Sequence, residues 1–409
     1  MRTAGSIYVP LGLQSKMLGV FLAVLFVPGG IGIPLDSTFL PYGRRTPSSS
    51  SLANHPKTGR RLLATSPSCS SNPYSGSSYY QNCNTYILAD VVNHQVFIIG
   101  VASDAGGSKV LLAGSGVAGT VAGTNTSAQF NKPLGNSVSP DGTFVIVGEV
   151  SGCVLRKVYT SNGNALIVAG SAGLCSSLDG VGSAARLSNV YAVAYIPGSS
   201  TKYLVADYSP ALKIYNDATG SVQTVASLSF NPSGVTITND GSTAYITGSG
   251  SYSIWSMNMN TFAVTTWISN TGSQIYGQVG LSPDNSMMAV PAYNANQLLF
   301  YSVASKTNVR QLGTGQGANV DGPSSAVQFF SLGWYNGPVY SLDGGNIYLE
   351  QQSGCLRIIN STAYSTSTFC WPGGVGYISL IPPTSCPSMT STPACSTCPS
   401  SQYLSLIHI

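Results

Sequence analysis

The chain has 409 residues, only 7% of them charged, with Gly, Ser, Thr, Asn and Tyr abundant, a neutral and hydroxyl-rich make-up that fits turn-dense β structure. Seven of the seventeen basic residues, against the single acid Asp36, precede residue 70, so the formal charge of +4 hides a slightly acidic main body. A nucleic-acid surface needs a clustered basic field on the folded part, and that class is excluded.

Arg2 and Lys16 precede the apolar run MLGVFLAVLFV (17–27), which is followed by Pro28 and small residues to Gly32. This order predicts a secretory signal peptide over 1–32, with a long first section. The alternative is an uncleaved signal anchor, because 17–35 is uncharged and nearly long enough to span a bilayer. The break at Pro28-Gly29-Gly30 favours cleavage. Residues 33–68 have little that could pack a core and are expected to be a disordered linker or propeptide. Arg44-Arg45 and Arg60-Arg61 are candidate dibasic processing sites within it.

From residue 69 the chain repeats itself. GNSVSPDGTFVIVGE (135–149) returns as GVTITNDGSTAYITG (234–248) and GPVYSLDGGNIYLE (337–350). Each copy reads as a glycine, a strand, an Asp-Gly turn suited to a two-residue hairpin, and a strand of aromatic and β-branched residues. Third strands follow at 94–100, 154–159, 212–216, 253–258, 297–303 and 355–360, each with a fourth strand behind it. Six such units, each about 50 residues long, predict an all-β fold, a six-bladed β-propeller over 69–383. The first unit lacks its innermost strand, since YILAD (86–90) already reads as a second strand. VGYISLIPP (375–383) is an innermost strand with no unit of its own. Pairing the two would close the ring and remove an open edge.

Between units, DGVGSAARL (179–187) matches DGPSSAVQF (321–329), and AGTNTSAQF (122–130) is a weaker copy. Together with the Ala-Asp endings at Asp90 and Asp207, these segments resemble the NHL-repeat family. The resemblance covers about 300 residues and is poor in the fourth unit. It implies a β-propeller. One enzyme built on such a propeller is an amidating lyase, whose metal-binding histidines have no counterpart here.

Four acids, Asp90, Glu149, Asp207 and Glu350, are read as sharing one repeat position at the end of the second strand, where units four and five carry Gly248 and Pro291. One account makes them turn caps that accept backbone N–H bonds. The other makes them, with Asn93, Tyr208 and Gln328, a ligand rim or a set of oxygen ligands for Ca²⁺. No catalytic constellation is legible. His94 is the one histidine of the repeat region and reads as a turn residue, and no cofactor is expected.

Nine cysteines in a secreted chain should be oxidised. Cys153 and Cys355 sit in equivalent places, SGCVLR and SGCLR, so pairs Cys153–Cys175 and Cys355–Cys370 are expected, with Cys69–Cys83 stapling the incoming segment. Residues 384–403 resemble the start of a Cys-rich, ephrin-receptor-like module. The ending LSLIHI (404–409) is what a sequencing-library adapter encodes in one frame, so the chain is expected to continue differently. Asn125 and Asn360 head glycosylation sequons. The function read from the sequence is an extracellular binding or scaffold propeller, taking a protein or glycan on its loop face as part of a larger secreted or surface protein. The alternatives are an extracellular metal-assisted lyase or hydrolase, and a structural wall or matrix glycoprotein.

Overall fold

The computed structural model describes residues 85–101, 107–269, 272, 275, 277–330, 332, 337–351, 355–370 and 376–380. The expected signal segment, the linker, the Cys69–Cys83 pair, the Cys-rich module and the 404–409 ending all lie outside them. The described residues form six antiparallel sheets, four with four strands and two with five, the blades of a β-propeller.

Each blade's second strand is an unbroken buried run, such as Phe144–Glu149 (FVIVGE) or Lys202–Asp207 (KYLVAD). A strand shows no in–out alternation when both faces of its sheet are covered. Here the covers are the neighbouring blades. Val147 and Val158 of blade two pack on Ile87 and Val96 of blade one, and Ile146 and Leu155 on Val205 and Tyr215 of blade three. Further clusters join blades three to four, four to five and five to six. The last one sets Tyr348 and Leu356 of blade six against Tyr86 and Leu88 of blade one, which completes the ring.

The ring is closed by chain pairing as well. The innermost strand of blade one is Gly376–Leu380, running antiparallel to Thr85–Asp90 from Asp90↔Gly376 to Tyr86↔Leu380. The two ends of the propeller therefore share one sheet, as the orphan strand in the sequence predicts.

The glycine that opens each repeat is explained by the approach of neighbouring innermost strands. A Cβ on Gly135 would stand 2.5 Å from Ala192 Cα and 2.7 Å from the Tyr191 carbonyl oxygen. At Gly234 it would meet Gln278 Cα at 2.6 Å, and at Gly280 the Pro338 carbonyl oxygen at 2.2 Å. Backbone packs on backbone at these positions, and no side chain fits between.

The Asp-Gly turns differ from the expected two-residue hairpins. In 139–144 the Ser139 N–H donates to the Phe144 carbonyl at 2.9 Å, so the loop between the paired residues is four residues long. Asp141 does not take positive φ; Gly142 does, at 71°. The aspartate instead accepts the Ser139 hydroxyl (2.6 Å) and the Thr143 N–H (3.1 Å). The same unit recurs at Asp240 and Asp343, and also at Asp284 in blade five, where Asn285 (φ 58°) replaces the glycine and the Asp-Gly signature is lost. Asn tolerates the left-handed region well enough to stand in.

Candidate functional site: the loop face

The second-to-third-strand turns and the inter-blade loops emerge on one face of the propeller, because strands alternate in direction within each blade. The inter-blade loops are held to their blades by a repeated latch. In blade two, Arg156 is fully buried in the third strand Val154–Tyr159. Its guanidinium donates to the carbonyls of Gln129 and Val121, both at 2.9 Å, the two residues that pair across the loop. Arg357 of blade six donates in the same way to Gln328 (2.8 Å) and Val320 (2.9 Å), again a paired couple. Beneath the two cations lie the rings of Phe130 and Phe329, at 4.6 and 4.9 Å. Lys213 is the counterpart in blade three, where Leu187 replaces the phenylalanine and the ammonium donates to Asp179 (2.9 Å) and Thr224 (2.8 Å).

A buried cation needs a counter-charge. Blades three and six supply it from the loop, as Asp179 and Asp321, with Arg357 Nη2 3.1 Å from Asp321. Blade two has Ala122 at that place, and Glu149 takes over from the second strand, 2.7 Å from Arg156 Nη1. These basic residues were not singled out in the sequence. The signal was present as Arg or Lys recurring in VLRKVY, LKIYN and CLRIIN, but it reads as the solvent side of a strand.

Three of the predicted acids, Asp90, Glu149 and Asp207, are caps and counter-ions. Asp90, Glu149 and Asp207 have no exposed surface, and Glu350 has almost none. Asp90 accepts the N–H groups of Val92 (3.2 Å) and Asn93 (2.9 Å), and the Asn93 amide donates to its other oxygen at 3.0 Å. Glu149 also accepts the Asn131 N–H and the Thr120 hydroxyl, both at 3.0 Å. Asp207 accepts the Ser188 N–H at 2.7 Å and the Ser209 hydroxyl at 3.1 Å. Burial pushes the Glu149 carboxyl up despite Arg156, and pushes Asp207 up despite its donors. The four acids stand in four blades and do not converge. Among the described residues no three His, Cys, Asp or Glu side chains group as a metal site. Tyr208 is half-buried and stacks on Tyr191 with ring centres 4.6 Å apart. Gln328 contributes its backbone to the Arg357 latch. His94, at φ 57°, accepts the Lys132 N–H on Nδ1 at 3.1 Å and so ties two blades together.

Register corrects three sequence assignments by one residue. Gly148 pairs with Leu155, and Glu350 pairs with Leu356, each the residue just before the latch arginine. Glu350 is thus the counterpart of Gly148, and Gln351 of Glu149, because the turn in blade six is one residue shorter. In blade five, Ala292 and not Pro291 holds the place, opposite Gln297. Gln297 is equivalent to Gln95, since each donates its amide to a glycine carbonyl after the fourth strand, Gly313 at 3.1 Å and Gly114 at 3.2 Å. The same shift separates the cysteines. Cys153 occupies the left-handed turn position (φ 61°) and bonds Cys175 of the next inter-blade loop. Cys355 is a ladder residue equivalent to Val154; it is disulfide-bonded, and Cys370 stands opposite it.

The sequon asparagines lie at turns. Asn125 begins a short 3-10 segment, and Asn360 ends a strand, with its side-chain oxygen accepting the Thr362 and Ala363 N–H groups at 3.0 and 2.7 Å.

The fold is similar to a chain in a crystal structure of a nidogen/laminin complex, with TM-score 0.53 and 8% identity, covering 74% of this chain and 99% of that one. It is also similar to a structural-genomics protein of unknown function from Bacteroides thetaiotaomicron, with TM-score 0.51 and 15% identity over 68% of this chain and 71% of that one. No protein-family model and no curated protein matches the sequence. The shared property is the β-propeller fold.

Proposed function

We propose that this NHL-like propeller is an extracellular binding platform whose protein partner docks on the face of second-to-third-strand and inter-blade loops. One observation carries the reading: that face displays large apolar side chains on loops pinned from below. Val121, Leu178 and Val320 hold one repeat position, where each belongs to a loop couple gripped by, or standing beside, the buried cation, and they are 48, 57 and 39% exposed. Val92, Val117, Leu174, Tyr252 and Phe330 are exposed on the same face. Apolar side chains on a rigid scaffold suit a protein partner, since little entropy is lost on docking. The chemistry beneath them is committed to structure, as Glu149, Asp207, Arg156 and Arg357 each hold backbone groups. The Cys153–Cys175 bond across the face supports an oxidising compartment and a secretory route. A nidogen/laminin complex contains a similar fold, which makes protein binding a natural use of it.

The test is capture of a partner from the source organism's extracellular fraction on immobilised protein, compared with L178D and V320D. Saturable binding lost in both variants, with unchanged melting temperatures, supports the reading. Binding indifferent to both, or robust turnover of a substrate by the isolated propeller, contradicts it.

A further inference from the structure

In three blades the preceding inter-blade loop lays an extended piece of chain along the fourth strand. Gly123 faces Ala165 in blade two, Gly180 faces Val222 in blade three, and Gly322 faces Thr366 in blade six. Each of these fourth-strand residues stands two places before the one opposite the latch cation, Ile167, Thr224 or Thr368. The covered position is therefore the same in all three blades, and in blade four it is Val264, two places before Thr266.

Blade four keeps this arrangement without the covering piece. Trp255 opposes Ile246 and Thr266 as Arg156 opposes Val147 and Ile167, so it holds the latch place. Phe230 takes the place of Phe130 and stacks on Trp255 with ring centres 3.6 Å apart. The asparagines that follow them match too, since the carbonyls of Asn231 and Asn131 accept the Ser249 and Ser151 N–H groups at 3.1 and 3.2 Å. The connection from blade three is only 228–231, too short to reach over the outer strand. Among the described residues nothing pairs with the outer side of Val264–Ile268, and Thr265 and Thr266 are exposed.

Two donors are left at this edge. Trp255 is half-buried, and its indole N–H has no acceptor among the described residues and is not sealed from solvent. In blades two and six the N–H groups at this place donate to carbonyls of the covering loop. Phe97 and Leu299, at the latch place in blades one and five, have no side-chain donor to offer. The second donor is the Val264 N–H, whose counterpart on Thr366 donates to the Gly322 carbonyl at 2.9 Å.

We propose that a protein partner lays an extended, uncharged segment along Val264–Ile268 as a fifth strand of blade four, the strand that the chain supplies for itself in blades two and three. Carbonyls of the segment accept from the Val264 N–H and from Trp255 Nε1. The segment carries no acid over Trp255, because Asp179 and Asp321 answer a buried cation and Trp255 has no charge to answer. This inference rests on the reading that a protein docks on the loop face, and it names how that partner holds on.

The probe is the uncharged covering segment of blade two, TVAGTNTSAQ (120–129), made as a fluorescein-labelled, amidated peptide and titrated into the full chain by fluorescence anisotropy. The proposal expects saturable binding and slowed amide exchange across Val264–Ile268. Affinity should fall about tenfold in Val264→Pro, which removes an edge N–H, and in Trp255→Phe, which keeps a ring on Phe230 but no donor. The acid-bearing peptide NVDGPSSAVQ (319–328) should bind more weakly. L178D and V320D change other blades and should bind the probe as the parent does. Partner capture that persists while the probe fails to bind would therefore sink this inference alone. No saturable binding, slowed exchange elsewhere than 264–268, or unchanged affinity in both blade-four variants would overturn it. Slowed exchange of that strand with chitotriose and not with the peptide would assign the shelf to a glycan and overturn it too.

Discussion

At the scale of single residues, the stability of the loop face depends on charges that never reach solvent. Glu149 and Arg156 are both fully buried, and each also holds backbone groups. Glu149→Ala should therefore cost about 3–5 kcal/mol, since it strands a buried cation. Adding Arg156→Met should recover part of that loss in urea denaturation, and a cost of the single change under about 1 kcal/mol would be at odds with the latch. Asp207 gives a pH test. Burial raises its folded pKa above the unfolded value of about 3.9, so its contribution is full below that value and is lost as pH rises through the folded one. Asp207→Asn, which keeps an acceptor for the Ser188 N–H, should gain stability relative to the parent as pH climbs from about 4 to 7. Parallel melting curves of the two proteins across that range would contradict the assignment. Asp90, Glu149 and Asp207 were legible as caps, because an acid at a strand end next to a turn has few other uses. Their counter-ions were not legible. An arginine in VLRKVY looks like the wet side of a strand until the inter-blade loop is laid over it.

At the scale of the element, the strands were plain and their register was not. The third strands Val154–Tyr159 and Cys355–Asn360 stand where the β-branched runs put them. What the sequence hides is a turn shortened by one residue, which moves Glu350 to the other side of its strand and separates Cys355 from Cys153 in role. Side chains alternate with period two, so one residue is the difference between two faces. The first turn of blade five was hidden as well, with Asn285 carrying the conformation that glycine carries elsewhere. The opening glycines give the element-scale prediction. Gly135→Ala would force a methyl onto the Ala192 backbone and should cost about 3 kcal/mol, as overpacking does where nothing can yield. Gly173→Ala, at φ 74° with nothing within 4 Å, serves as a control and should cost about 1 kcal/mol from backbone strain alone. Similar losses at the two sites in thermal denaturation would mean that the inner strands are not in contact.

At the scale of the whole molecule, six cores and one shared sheet make the ring a closed circuit. Removing 375–383 takes the innermost strand from blade one and should lower the melting temperature by many degrees, with amides of Thr85–Asp90 losing protection from exchange. An unchanged melting temperature would refute the clasp. The closed ring holds its loops fixed for the docking proposed above, and lysines report on that face directly. Lys132 is exposed on the inter-blade loop side, whereas Lys202 and Lys306 are exposed on the other side. The deciding measurement is lysine acylation of the propeller, alone and saturated with the captured partner, read by mass spectrometry. Docking on the loop face predicts that Lys132 is shielded while Lys202 and Lys306 react as before; shielding of Lys202 and Lys306 with Lys132 still reactive would contradict it.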